Sequence, residues 1–143
     1  MADFKKAYRQ ITDVLQEEIA KTNDIPTDIL TVWDNKEANK PKDSSLDWLR
    51  VTIREGESIR DSIGSPALWL RQATLFIDVF TPKGKGLDRP NDFANLIAEA
   101  YMADNDPNRD EYDIEEVSSF QIGEDGEWHH SQIRINFTHY EWA

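Results

Sequence analysis

Apolar residues recur along the first part of the chain at three- and four-residue steps. Between residues 3 and 21 they fall at Phe4, Ala7, Tyr8, Ile11, Val14, Leu15 and Ile19, the single stripe of an amphipathic helix. Asp3 suits the N-cap, and Asn23, Asp24 and Pro26 supply the stop. The rhythm then changes to alternation. Residues 29–34 form a short β-branched and aromatic run. Over residues 46–54, Leu49, Val51 and Ile53 share one face, with Trp48, Arg50, Thr52 and Arg54 on the other. Residues 35–45 are polar throughout and read as a mobile loop or hairpin tip. Residues 55–66, punctuated by Gly56, Gly64 and Pro66, read as a second loop.

A long strand follows over residues 68–81, with Ala73, Leu75, Ile77 and Val79 on one face and Thr74, Phe76, Asp78 and Phe80 on the other. Pro82, Gly84 and Gly86 break it. A second helix is predicted over residues 88–103, with Pro90 in its first turn and a stripe of Phe93, Leu96, Ile97, Ala100 and Tyr101. An acidic loop, 104–113, leads into a closing hairpin: strand 114–122, turn 123–126 and strand 127–140. The order is helix, three strands, helix, two strands. It predicts an α+β fold, a mainly antiparallel sheet of about five strands with two helices packed on one face. The whole of residues 1–143 is expected to be one domain.

Charge and composition narrow the chemistry. Sixteen basic residues stand against 28 acidic ones, a net charge of −12, which argues against general nucleic-acid binding through phosphate neutralisation. There is no cysteine, so disulfides, thiolate–metal sites and thiol nucleophiles are excluded. No apolar run approaches the roughly 18 residues of a membrane span. No secretory leader is expected either, because no apolar segment follows the N-terminal lysines; the cytoplasm is the expected place of folding. Five Trp, six Phe and four Tyr argue against disorder. Trp48, Trp69, Phe76, Phe80, Trp128 and Trp142 exceed what the core face needs. They either cover the second face of the sheet or bury against neighbouring subunits.

No catalytic constellation stands out. Gly84 and Gly86 lie between a strand and a helix, but Arg89 occupies the third glycine position of a dinucleotide fingerprint. Asp104, Asp106, Asn108, Asp110 and Glu115 fall at the ligand spacing of a calcium loop, yet Arg109 holds the position that needs glycine. A solvated acidic loop is the expectation there, and a divalent-cation site the alternative. His129 and His130 point to opposite faces of a strand and are not expected to share a metal.

One series of segments resembles a known family. It runs from Arg50-Val51-Thr52-Ile53 through Gly56-Glu57 and Ile63-Gly64. The strand Arg71-Gln72-Ala73-Thr74-Leu75-Phe76-Ile77-Asp78-Val79-Phe80-Thr81-Pro82 and the turn Gly84-Lys85-Gly86 follow. After the helix come Phe120-Gln121-Ile122-Gly123-Glu124-Asp125-Gly126-Glu127-Trp128 and Ile133-Arg134-Ile135-Asn136-Phe137. In order and spacing these segments, within residues 46–140, resemble the tail terminator proteins of long-tailed bacteriophages. The resemblance implies a structural virion protein at the tail–neck junction, assembled in the bacterial cytoplasm, with no catalytic role and no cofactor. Such subunits form a hexameric ring that ends tail-tube growth and offers the surface to which the head joins. The implied partners are further copies of the chain, the tail tube protein and a head-completion or neck adaptor protein, with DNA passing through the ring without specific binding and no membrane involved. Lys36, Lys40 and Lys42 in the first loop, Arg60 and Asp61 in the second, and Trp69 and Arg71 beside it are the candidate contact residues. Two alternatives stay open: another neck or head-completion adaptor, and a small acidic cytoplasmic binding domain with a divalent-cation loop at 104–115.

Overall fold

The computed structural model describes residues 4–21, 29–33, 41–42, 45–84, 86, 88–104, 106–107 and 109–142. Its elements, in chain order, are helix α1 (Phe4–Lys21), strands β1 (Leu30–Val32), β2 (Trp48–Arg60) and β3 (Leu68–Pro82), helix α2 (Asp88–Met102), and strands β4 (Tyr112–Asp125) and β5 (Trp128–Trp142). The strands form one sheet in the order β1-β2-β3-β5-β4. The predicted cap, Asp3, lies outside the described residues.

The expectation of a mainly antiparallel sheet is corrected in one respect: the sheet is mixed. β1 runs parallel to β2, with Leu30 beside Trp48 and Val32 beside Arg50. The other neighbours are antiparallel. A parallel pair needs a crossover of about a dozen residues or more, and residues 33–47 are long enough to provide one, whereas a hairpin tip would have reversed the strand.

The core lies between the sheet and both helices. Ile11, Val14 and Leu15 of α1 and Phe93, Ala94, Ile97 and Ala98 of α2 pack with Leu49, Val51, Leu75, Ile77, Val79, Ile133, Ile135 and Phe137. Burying an aliphatic side chain of this size contributes about 1.5–3 kcal/mol before entropy is counted. On α2 the buried stripe is turned relative to the predicted one: Ala94 and Ala98 are buried, while Leu96 and Ala100 are only half-buried. Small side chains let the helix lie close to α1 and the sheet. Tyr101, fully buried, ties the helices together by donating its hydroxyl to the Ile11 carbonyl at 2.8 Å.

Two boundaries differ from the sequence pattern. Residues 55–60 are not loop but the outer half of β2, paired with β3 from Ala73 to Trp69 across an irregularity between Glu55 and Ser58. The closing turn is tighter than 123–126. Asp125 pairs with Trp128, leaving only Gly126 and Glu127 in the loop. Gly126 takes φ 60°, the left-handed conformation that two-residue hairpins demand.

Candidate functional site

Among the described residues, three places combine polar chemistry or exposed apolar surface most densely. The first is the acidic loop between α2 and β4. Arg109, with a side chain only 7 % exposed, inserts among its carboxylates. It pairs with Asp104, with Glu17 of α1 at 2.7 Å and with Asp106 at 3.7 Å. Burial opposes its charge, but the hydrogen bonds and charges of Glu17 and Asp104 outweigh that and raise its pKa. Asp110 and Glu115, also predicted as ligands, have donors of their own. Asp110 accepts a hydrogen bond from the Gln10 amide at 3.2 Å, and Glu115 accepts one from Thr138. Asn108 lies outside the described residues. Among the described residues no group of three or more His, Asp or Glu is arranged to hold a metal ion. The cation at the centre of this loop is a guanidinium.

The same loop is fastened to α1. The Glu111 amide donates to Gln10 Oε1 at 3.0 Å, and Lys6 pairs with the Glu111 carboxylate at 3.0 Å. Tyr112 donates its hydroxyl to Asp104 at 3.2 Å, and its pKa is raised by burial and then by the Asp104 charge. Clefts of about 610 and 370 Å³ flank the loop. Their walls carry Glu17, Glu18, Glu99, Asp104, Asp113 and Glu116.

The second place is the sheet face turned away from the helices. Asp78, buried near its centre, accepts hydrogen bonds from His130 Nε2 at 2.7 Å, Gln132 at 2.9 Å and Arg50 at 3.1 Å. Burial alone would raise the Asp78 pKa, but these donors and the Arg50 charge hold it below the usual carboxylate range. An Asp–His pair invites comparison with a hydrolase relay. However, Ser131 Oγ donates to Gln121 at 3.0 Å rather than to His130, so this neighbouring serine is not aligned with the pair. His129 bonds Gln121 at 2.6 Å, so the two histidines have different side-chain partners. At one end of this face Trp48 stacks on Phe80 with ring centres 4.0 Å apart, Phe80 stacks on His130, and Trp128 closes the cluster edge-on. Three of the spare aromatics therefore cover the second face of their own subunit. Phe76 remains half-exposed, and Arg134 lies over it and over Phe120.

The third place is the arm formed by the outer half of β2 and the start of β3. Its tip is ordered by its own bonds. Arg60 donates to the Ser62 and Gly64 carbonyls at 3.1 and 2.6 Å, and the Asp61 amide donates to the Leu68 carbonyl at 2.8 Å. Ile63 at the tip is 101 % exposed, and Ile59 56 %. Trp69 is half-buried opposite Arg60. Arg71 serves the subunit itself, pairing with Glu55 at 2.6 Å and donating to Ser58 at 2.8 Å. Lys42 is exposed; Lys36 and Lys40 lie outside the described residues. Beneath the arm, Tyr8 donates to Glu55, and its ring meets His139 edge-on at 5.4 Å. His139 is 0 % exposed, and burial, assisted by the Arg71 charge, lowers its pKa to about 4. Sequence patterning does not single out Gln10, Asp78 or His139. Only the alternation that puts Asp78 and His139 on strand faces hints at them.

A sequence model of a family described as phage tail terminator protein matches residues 10–137. That span includes most of α1, which the resemblance over residues 46–140 left out. No curated protein matches the chain significantly. One solved structure, 13 % identical, covers 100 % of this chain and 99 % of its own length with a TM-score of 0.69. At that identity it shows a shared fold. Among the described residues no helix is long and apolar enough to cross a membrane.

Proposed function

Because the chain belongs to the phage tail terminator protein family, whose members are structural components of the tail and hence of the virion, we propose that it forms a closed ring of six subunits that ends tail-tube growth and offers the joining surface for the head. The match over residues 10–137 carries this reading, since it takes in β1 to β4 and α2 whole and most of α1 and β5. Two features support it. The ordered arm places Ile59 and Ile63 in solvent, an arrangement that costs little in a free subunit and fits a contact with a neighbouring ring. The net charge of −12 lets DNA pass an acidic wall without adhering to it. In this reading the contact residues are Lys42, Arg60, Asp61 and Trp69 with Ile59 and Ile63, while Arg71 supports the arm from inside. The tail tube protein lies on one side of the ring and a head-completion or neck adaptor protein on the other.

The test is a virion lacking this chain. A terminator's loss should give tails that overrun their normal length and carry no head. Headless tails of normal length would assign the chain to the neck instead. Electron cryomicroscopy of complete particles should show it at the head-proximal end of the tube, and its presence at any other position would overturn the proposal.

A further inference from the structure

The sheet ends in two open edges. β4 is the last strand on one side. On the other side β1 pairs only with Trp48, Leu49 and Arg50, so among the described residues nothing pairs with the outer side of β2 beyond Arg50. Exposed edges are templates for further strands unless they are blunted. Here both edges keep a regular stretch. β4 is irregular between Ile114 and Glu116 and between Gln121 and Gly123, and β2 between Glu55 and Ser58. The segments between, 116–121 on β4 and 51–55 on β2, keep an unbroken register with their partner strands.

The rows of residues across the sheet show how the two edges match. On the helix side, Ile53, Leu75, Ile135 and Val117 form one row. Its two middle members are 0 % exposed, whereas Ile53 and Val117, at its ends, are only partly buried. The core thus runs out to both edges and stops unfinished. On the other face, Arg54, Thr74, Asn136 and Glu116 form a row that is basic at one edge and acidic at the other. The next row places Thr52 at one edge and Ser118 at the other. Along β4 the charges are Asp113, Glu115, Glu116, Glu124 and Asp125, with no basic residue. Along open β2, Arg54 and Arg60 have no carboxylate partner among the described residues, and Glu55 is paired with Arg71.

From this complementarity we infer that copies of the chain join edge to edge, β4 of one subunit against β2 of the next. The pairing is antiparallel, because β2 and β4 run in opposite directions within the sheet. A neighbour that continues the sheet brings Glu116 beside Arg54, Ser118 beside Thr52, and Val117 beside Ile53. Backbone bonds supply the affinity and the charge row sets the register. The contact joins two different edges and is therefore heterologous, the kind that closes into a ring. The inference rests on the ring reading above and names the surfaces that make it.

The absence of cysteine makes the test direct. The double variant Thr52→Cys/Ser118→Cys, oxidised after assembly, should give a ladder of covalent multimers in steps of 16.6 kDa, while each single variant gives none. Arg54→Cys/Ser118→Cys covers a two-residue slip of register. In the unmodified chain, amide exchange at residues 51–54 and 116–119 should slow at least tenfold on assembly, a readout independent of the variants. A ring seen in particles with neither cross-link nor protection would overturn the edge pairing and leave the ring reading standing. Cross-links to the tube protein in place of self would overturn it as well. If no ring exists in solution or in particles, both readings fall.

Discussion

Replacing His139 with Phe should flatten the acid side of the stability curve. The imidazole is 0 % exposed and packed between the rings of Tyr8 and Phe137. Its pKa falls from 6.5 to about 4, first through burial, then through the Arg71 charge, with Glu55 opposing. In the unfolded chain the same group binds a proton near its ordinary pKa. Between the two values the unfolded state therefore holds more protons than the native one, and stability declines as pH falls. The full contribution is present above pH 6.5 and is lost as pH drops towards about 4. A shift of this size corresponds to roughly 3 kcal/mol. Phe keeps a ring in the site and removes the titration. Urea unfolding of both proteins between pH 8 and pH 4, at fixed protein concentration, gives two curves whose difference isolates this group, because the other carboxylates and histidines are common to both. The difference should shrink by about 3 kcal/mol in favour of the variant across that range. Curves that stay parallel to within about 0.5 kcal/mol would refute the assignment of His139 as a buried neutral base.

The other predictions concern the loop, the helix contact and the arm. Arg109→Gln should cost roughly 3 kcal/mol, because it leaves Asp104 shielded from water without its cation; a loss below about 1 kcal/mol in urea would contradict the clamp described here. Calorimetric titration of the unaltered protein with Ca²⁺ should show no micromolar binding, and an isotherm abolished by Asp104→Ala would restore the metal-loop alternative. Tyr101→Phe removes the bond to the Ile11 carbonyl and should lower stability by about 1 kcal/mol, seen as an earlier urea midpoint with unchanged slope. Ile63→Asp at the exposed tip should leave stability within about 0.5 kcal/mol yet impair particle assembly; a wild-type yield of infectious particles would remove the arm from the joining surface.

Elements that bury one face could be read from the sequence closely. The stripe through Ile11, Val14 and Leu15 locates α1, and the alternation of Leu75, Ile77 and Val79 locates β3. The outer half of β2 escapes because both its faces meet solvent, so Glu55, Gly56 and Glu57 show no alternation. The direction of β1 escapes for another reason: a polar stretch looks the same whether it turns back or crosses over. In the acidic loop the intruding cation is visible as Arg109, but Glu17 and Gln10, which complete its surroundings, sit about a hundred residues away on α1. Contacts at that separation leave no local pattern.

The position of β5 has a consequence for how the protein is made. β5 follows every other described element in the chain, yet it lies inside the sheet, between β3 and β4. As the polypeptide leaves the ribosome, β2 and β3 can pair as a hairpin, but β4 emerges with no strand to join. The floor under Tyr8 and Tyr101 is equally missing until Ile133, Ile135 and Phe137 arrive. Non-local closure of this kind folds late and slowly compared with hairpins. Partial chains stalled before Trp128 can hold β2 against β3 but leave β4 without its partner strand, so an incompletely synthesised subunit cannot offer both edges to a growing assembly.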